Sequence, residues 1–178
     1  MTSFARMNRS DHSMRPPAPA ATLAFQSPNA CNLCHADKDA AWADKLVRGW
    51  RTRDYQAPVL KDASLVDAAR KRDWSTLPDM LSYVADKNRD EVVATSLIRL
   101  VSASGDPRIV PVLIEAIRDP SPLVRSAAAT ALQDVHTKES VEALVAATGV
   151  DYRLVRVRAA ASLAPYQNLP LDDAQKKT

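Results

Sequence analysis

The feature that most constrains the fold is a stretch of chain that repeats itself. Laying Asp106–Val135 over Thr137–Tyr166 matches Val110 with Val141, Leu113 with Leu144, Leu123-Val124-Arg125 with Leu154-Val155-Arg156, Ala128-Ala129 with Ala159-Ala160, and Leu132 with Leu163. A fainter copy precedes them, with Leu81, Val92 and Leu100 in the places of Leu113, Val124 and Leu132. Three successive units of about 30 residues fall in the size range of solenoid repeats, in which each unit buries its apolar face only against its neighbours.

Spacing within a unit is helical. Val110, Leu113, Ile114 and Ile117 form one stripe, and Val124, Ala127, Ala128, Ala131 and Leu132 form another. Asp119-Pro120-Ser121-Pro122 lies between them, ending the first helix and opening the second, because proline is tolerated in a first turn and excluded from an interior. Each unit therefore reads as helix, turn, helix, and small alanines allow neighbouring helices to approach closely. The aspartate, the turn, and then Val124-Arg125 before an alanine-rich helix resemble the HEAT-like repeat family; Asp119 with Arg125 fits that pattern well, and Asp151 with Arg156 less closely. The resemblance covers residues 74 to 166 and implies an α-solenoid with a surface able to dock another protein. Arg125 and Arg156 are expected to hold neighbouring turns together rather than to bind a partner.

Composition agrees with a helical chain. Of 178 residues, 46% are hydrophobic but only 5% aromatic, and glycine occurs three times, so the apolar content is mostly helix-forming alanine, leucine and valine. A net charge of +3 with acids and bases interspersed gives no basic stripe for nucleic acid. No apolar run approaches the roughly 20 residues that span a bilayer.

Upstream of the repeats the chain reads as three pieces. Residues 1 to 57 hold a proline-rich strap, in which Arg15-Pro16-Pro17-Ala18-Pro19 is expected to be extended, followed by a cysteine motif and a helix running from His35 to about Arg53 on Trp42, Leu46, Val47 and Trp50. A turn at Ala57-Pro58 leads to a connecting helix within 58 to 73, whose apolar side is Leu65, Val66, Ala68 and Ala69. Residues 167 to 178 form a polar tail. The fold class expected is all-α: a short irregular N-terminal region, then the solenoid.

The chemistry-bearing motif is Cys31-Asn32-Leu33-Cys34-His35, which contains the only two cysteines of the chain. Two cysteines three apart followed directly by histidine form the attachment signature of c-type haem. One tight turn presents both thiols to one edge of a porphyrin, and the adjoining imidazole reaches the iron. Cys31 and Cys34 are thus the candidate thioether residues, and His35 the proximal ligand. Zinc would need four ligands, and only His12 and His136 remain, at unfamiliar spacings. A thioredoxin-like pair would need a βαβ setting that the flanks lack. A disulfide across so short a loop contributes little, and two inert thiols are the last alternative.

A six-coordinate haem needs a second axial ligand. His12 lies in the strap, within reach of a chain that folds back over a haem face, with Met7 and Met14 as sulfur alternatives that would raise the potential. His136, between repeats, reads as a surface residue. Arg9 and Arg15 are candidates to neutralise propionates, or plain solvated side chains.

Asp11-His12-Ser13-Met14-Arg15-Pro16-Pro17, followed by Ser27-Pro28-Asn29-Ala30-Cys31-Asn32-Leu33-Cys34-His35, resembles a segment of bacterial multihaem c-type cytochromes. The resemblance implies bis-histidine ligation, His35 proximal and His12 distal to this haem or to one bound upstream. It implies haem c as cofactor, electron transfer with a redox partner protein or neighbouring haem domains, and an extracytoplasmic, periplasmic location. The sequence departs from that family in having one attachment motif and no apolar export segment after Met1, so the expectation is the C-terminal part of a longer exported protein. Two other functions stay open: a haem-free HEAT-like interaction scaffold, and part of a multihaem oxidoreductase with a substrate-binding haem.

Overall fold

A computed structural model describes residues 2–4, 7–9 and 16–166. The chain divides into two compact units, Met1–Ala63 and Ser64–Thr178.

In the first unit, β1 (Thr2–Phe4) and β2 (Met7–Arg9) pair antiparallel, and every other element among the described residues is helical, as the all-α class expects. Of the strap expected to be extended, residues 16–18 form no regular element. Pro19 then opens a helix, α1 (Pro19–Phe25), where its fixed φ suits the first turn. The cysteine motif forms a separate short helix, α2 (Ala30–Cys34), and a new helix, α3 (Ala40–Gly49), follows. One continuous helix leaving His35 was expected; instead Asp39 caps a fresh start, its carboxylate accepting from the Trp42 N–H at 2.8 Å. The turn expected at Ala57-Pro58 comes earlier, because Asp54 accepts from the N–H groups of Gln56 and Ala57, so that α4 (Gln56–Arg70) begins there with Pro58 in its first turn.

Gln56 holds this unit together. It is buried; its Oε1 accepts from the Ala20 N–H at 3.0 Å and its Nε2 donates to Asp44 at 2.8 Å. The strap is tied again where the Tyr55 hydroxyl donates to the Pro17 carbonyl at 2.5 Å.

The second unit is three helical hairpins: α5 (Leu77–Ala85) with α6 (Glu91–Val101), α7 (Ile109–Ala116) with α8 (Pro122–Ala131), and α9 (Lys138–Thr148) with α10 (Arg153–Leu163). First helices neighbour first helices, and second helices neighbour second helices, in chain order. This ladder is the solenoid that the repeat implied. Its core is aliphatic and continuous: Leu77, Met80, Leu97, Ile98, Leu113, Val124, Leu132, Leu144 and Val155 are fully enclosed. On α8, Ala127, Ala128 and Ala129 are all buried, as close helix approach requires.

Caps or an N-terminal proline mark three of these helix starts. Asp90 accepts from the Val92 and Val93 N–H groups at 2.8 and 3.1 Å, Pro122 opens α8, and Thr137 with Ser140 forms a reciprocal capping box on α9.

The register expected for the faintest copy is corrected. Val92 is 55% exposed, and the core-facing series on α6 is Val93, Leu97 and Val101, matching Val124, Ala128 and Leu132. The chain takes one residue more from Val84 to Val93 than from Ala116 to Val124, so an alignment anchored on the first helix slips by one on the second.

The repeated arginines close their own turns. Arg125 Nη1 donates to the carbonyls of Asp119 and Pro120 at 3.0 and 3.2 Å; Arg156 Nη1 does the same to Val150 and Asp151 at 3.0 and 2.8 Å. Successive turns are linked where buried Asp119 accepts from Arg89 at 2.7 Å and from Lys87 at 3.3 Å.

Candidate functional site

The motif occupies one turn of helix, and two asparagines fix the backbone around it. Asn29 caps α2, its Oδ1 accepting from the Asn32 N–H at 3.1 Å, while its Nδ2 donates to Thr22 on α1 at 2.9 Å. Asn32 reaches forward, donating through Nδ2 to the Lys38 carbonyl at 2.8 Å. The chain is thereby folded into a compact turn after Cys34. The His35 N–H closes α2 on the Cys31 carbonyl at 2.9 Å, and the Lys38 N–H returns to the His35 carbonyl at 3.1 Å.

Three consequences follow for the side chains. Cys31 and Cys34, one helical turn apart, lie on the same face of α2. Both are free thiols, Cys31 half-buried and Cys34 exposed. The imidazole of His35 packs against the indole of Trp42, with ring centroids 5.0 Å apart and planes tilted by 56°.

All three motif side chains line a single cavity of about 460 Å³. Its other walls are Ala30 and the inner face of α3, namely Trp42, Ala43, Leu46, Val47 and Trp50. That volume is in the range of small-molecule and cofactor sites, roughly 300 to 1,000 Å³. The lip is apolar and open: Trp50 is 68% exposed, and Leu46 is also exposed. So large an exposed indole beside an apolar cleft marks a place where a further apolar surface is buried.

This donor set fits a covalently held porphyrin: two unpaired thiols on one turn, an imidazole in the same cleft, and an apolar wall for a flat macrocycle. Among the described residues no group of three or more His, Cys, Asp or Glu side chains is placed to hold a metal ion. The remaining sequence candidates contribute less. His12, Met14 and Arg15 lie outside the described residues, and Met7 and Arg9 are on β2. His136 is exposed, and its ring meets that of Tyr166 with centroids 5.3 Å apart.

Asn29, Asn32 and Trp42 were not singled out as positioning groups in the sequence. Asn29 was legible, as an N-cap type residue ahead of the motif. The role of Trp42 depends on the turn through 35–39, which no periodicity announces.

Residues 78–164 match the family of HEAT repeats. HEAT-like repeats are therefore present, and they coincide with the three hairpins α5 to α10. No curated protein and no solved structure matches the chain. No helix among the described residues is long and apolar enough to cross a membrane.

Proposed function

We propose that this chain is a c-type cytochrome module: it holds haem c through Cys31 and Cys34, with His35 as proximal ligand, and passes electrons, its HEAT-like repeats serving as scaffold. The observation that carries the reading is the convergence of both thiols and the imidazole on one apolar cavity of about 460 Å³. When bound, the haem supplies reversible one-electron exchange at its iron.

The residues divide the work. Cys31 and Cys34 anchor through carbon–sulfur bonds, so that the cofactor stays attached when the protein opens. The Asn32 bridge to Lys38 and the contact of His35 with Trp42 fix the direction in which the imidazole presents its nitrogen. Ala43, Leu46, Val47 and Trp50 exclude water from one face of the cleft. Low polarity there raises the reduction potential by disfavouring the more charged ferric form. His12 is the proposed sixth ligand, on the multihaem resemblance, and the same resemblance supports an extracytoplasmic location and a redox partner protein or neighbouring haem domain.

The test is expression with an export signal in a host that has haem-maturation machinery. A denatured mass raised by one haem, a haemochrome spectrum of the c type, and loss of both in the C31A/C34A variant are expected. A denatured mass equal to that of the bare polypeptide refutes the reading. Rapid carbon monoxide binding by the ferrous form would instead show an open iron position and refute ligation by two strong ligands.

A second reading, a haem-free protein-interaction scaffold, is favoured by the HEAT-repeat match and by one surface detail. Val92, Leu123 and Leu154 occupy the same position in the three units and are 55%, 41% and 41% exposed. An apolar row in register with the repeat is what a docked partner would cover.

A further inference from the structure

The face of α3 that lines the haem cleft ends at Trp50, and the next residue, Arg51, lines a second and smaller cavity of about 150 Å³. Arg48, Arg53, Asp54, Tyr55 and Gln56 complete its wall. Three arginines and one aspartate around a small hollow leave positive charge in excess.

The two nearest carboxylates are already committed. Arg48 donates through Nε to Asp44 at 2.8 Å and through Nη1 to Asp54 at 3.0 Å, and these bonds hold the Asp54 carboxyl below its usual range. Asp54 also caps the start of α4. Arg51 lies over the Tyr55 ring, 5.5 Å from its centroid, and has no carboxylate partner among the described residues; Arg53 has none either. Tyr55 stands in the wall of this hollow, where burial pushes its phenol up and the neighbouring Arg51 guanidinium opposes that rise.

We infer that Arg51 and Arg53 form a carboxylate-binding rim beside the cleft and receive a propionate of the haem, an inference that rests on the haem reading above. An apolar cleft whose last wall residue, Trp50, is followed directly in the chain by arginines without a carboxylate partner among the described residues suits a ligand with a flat apolar body and a carboxylate tail, and arginine is the side chain best shaped for carboxylate oxygens. Tyr55 props the Arg51 guanidinium, and the Asp44–Arg48–Asp54 chain keeps the neighbouring acids from competing. Cations at that place offset the charge of the propionate, which otherwise stabilises ferric iron, and so raise the midpoint potential.

The experiment compares the haem-loaded wild type with R51Q/R53Q, R51K/R53K and K38Q/K45Q, a control that also removes two cations and whose residues line neither cavity. Haem content from denatured mass is measured first, and the midpoint potential by spectroelectrochemistry second. The expected result is full haem content in all four proteins, a clearly lower potential in R51Q/R53Q than in K38Q/K45Q, and recovery in R51K/R53K. Equal potentials in R51Q/R53Q and K38Q/K45Q overturn the inference while leaving haem attachment standing. Absence of haem from the wild type overturns both.

Discussion

Replacing Asp119 by Asn removes one charge and little else, and the surroundings determine what that costs. Asp119 is 1% exposed and Arg89 4% by side chain, at 2.7 Å, so neither charge can be hydrated where it sits. Lys87 also approaches, at 3.3 Å, but it is 57% exposed. Its share is that of a surface pair, at most about 1 kcal/mol. Asparagine can still accept from the Ser121 N–H, a bond of 2.9 Å, which leaves the lost ion pair as the main difference. Arg89 has no second compensation, because its Nε is buried without a hydrogen-bond partner. Breaking a buried pair on one side costs about 3–5 kcal/mol. With a urea slope of about 2 kcal/mol per molar, the lower figure moves the unfolding midpoint down by about 1.5 M. Urea titration followed by circular dichroism reads this directly, with the slope unchanged. The double variant R89M/D119N removes both charges, keeps the acceptor for the Ser121 N–H, and should recover most of the loss. A D119N cost below about 1 kcal/mol, or a double variant as unstable as the two single losses added, would show that the pair is not the buried tie between turns described above.

Three other outcomes can be checked on the same protein. Leu113→Ala should cost about 2–5 kcal/mol, since the side chain is enclosed in the core, whereas Val92→Ala should stay within about 0.5 kcal/mol; equal urea midpoints for the two would refute the register given to the first unit. Gly105 follows the short 3-10 turn after α6 with φ of 67°, and a Cβ added there would meet nothing within 4 Å, so Gly105→Ala should lose about 1–2 kcal/mol through backbone strain alone, with Asn tolerated better than Ala in thermal melts. The Asp106 carboxyl is lowered to about 2, first by its bond from the Arg108 side chain and then by the Arg108 N–H. Its contribution is therefore present above pH 3.8 and lost as pH falls toward 2; carbon-detected NMR titration should place its midpoint well below that of an ordinary aspartate, and D106N should flatten acid unfolding in that window.

The repeats were legible because burial forces periodicity. Val124, Ala128 and Leu132 must face inward in every unit, so their spacing survives in the letters. The slip at Val92 shows the limit: two adjacent valines, Val92 and Val93, offer equal hydrophobicity, and only the Asp90 cap decides which one faces the core. In the N-terminal unit, little is periodic and local polar bonds decide. Asp39, Asp54 and Gln56 delay one expected helix to Ala40, start another early, and fold the strap's end into α1 through Ala20. The cysteine motif itself needed no fold to be read, whereas its wall did: Trp42 reaches the cavity only because the chain turns between His35 and Asp39.

The arginines at the start of α8 and α10 carry a consequence for assembly. Arg125 and Arg156 fasten carbonyls that lie five and six residues earlier in their own hairpins. A hairpin closed by its own side chain requires no distant segment to complete its turn, so contacts of short sequence separation suffice to begin folding in any unit. Added or deleted copies would bring their fasteners with them. Growth of the array by duplication is thus chemically simple at the turns, and the burden of matching falls on the ion pairs that join one turn to the next.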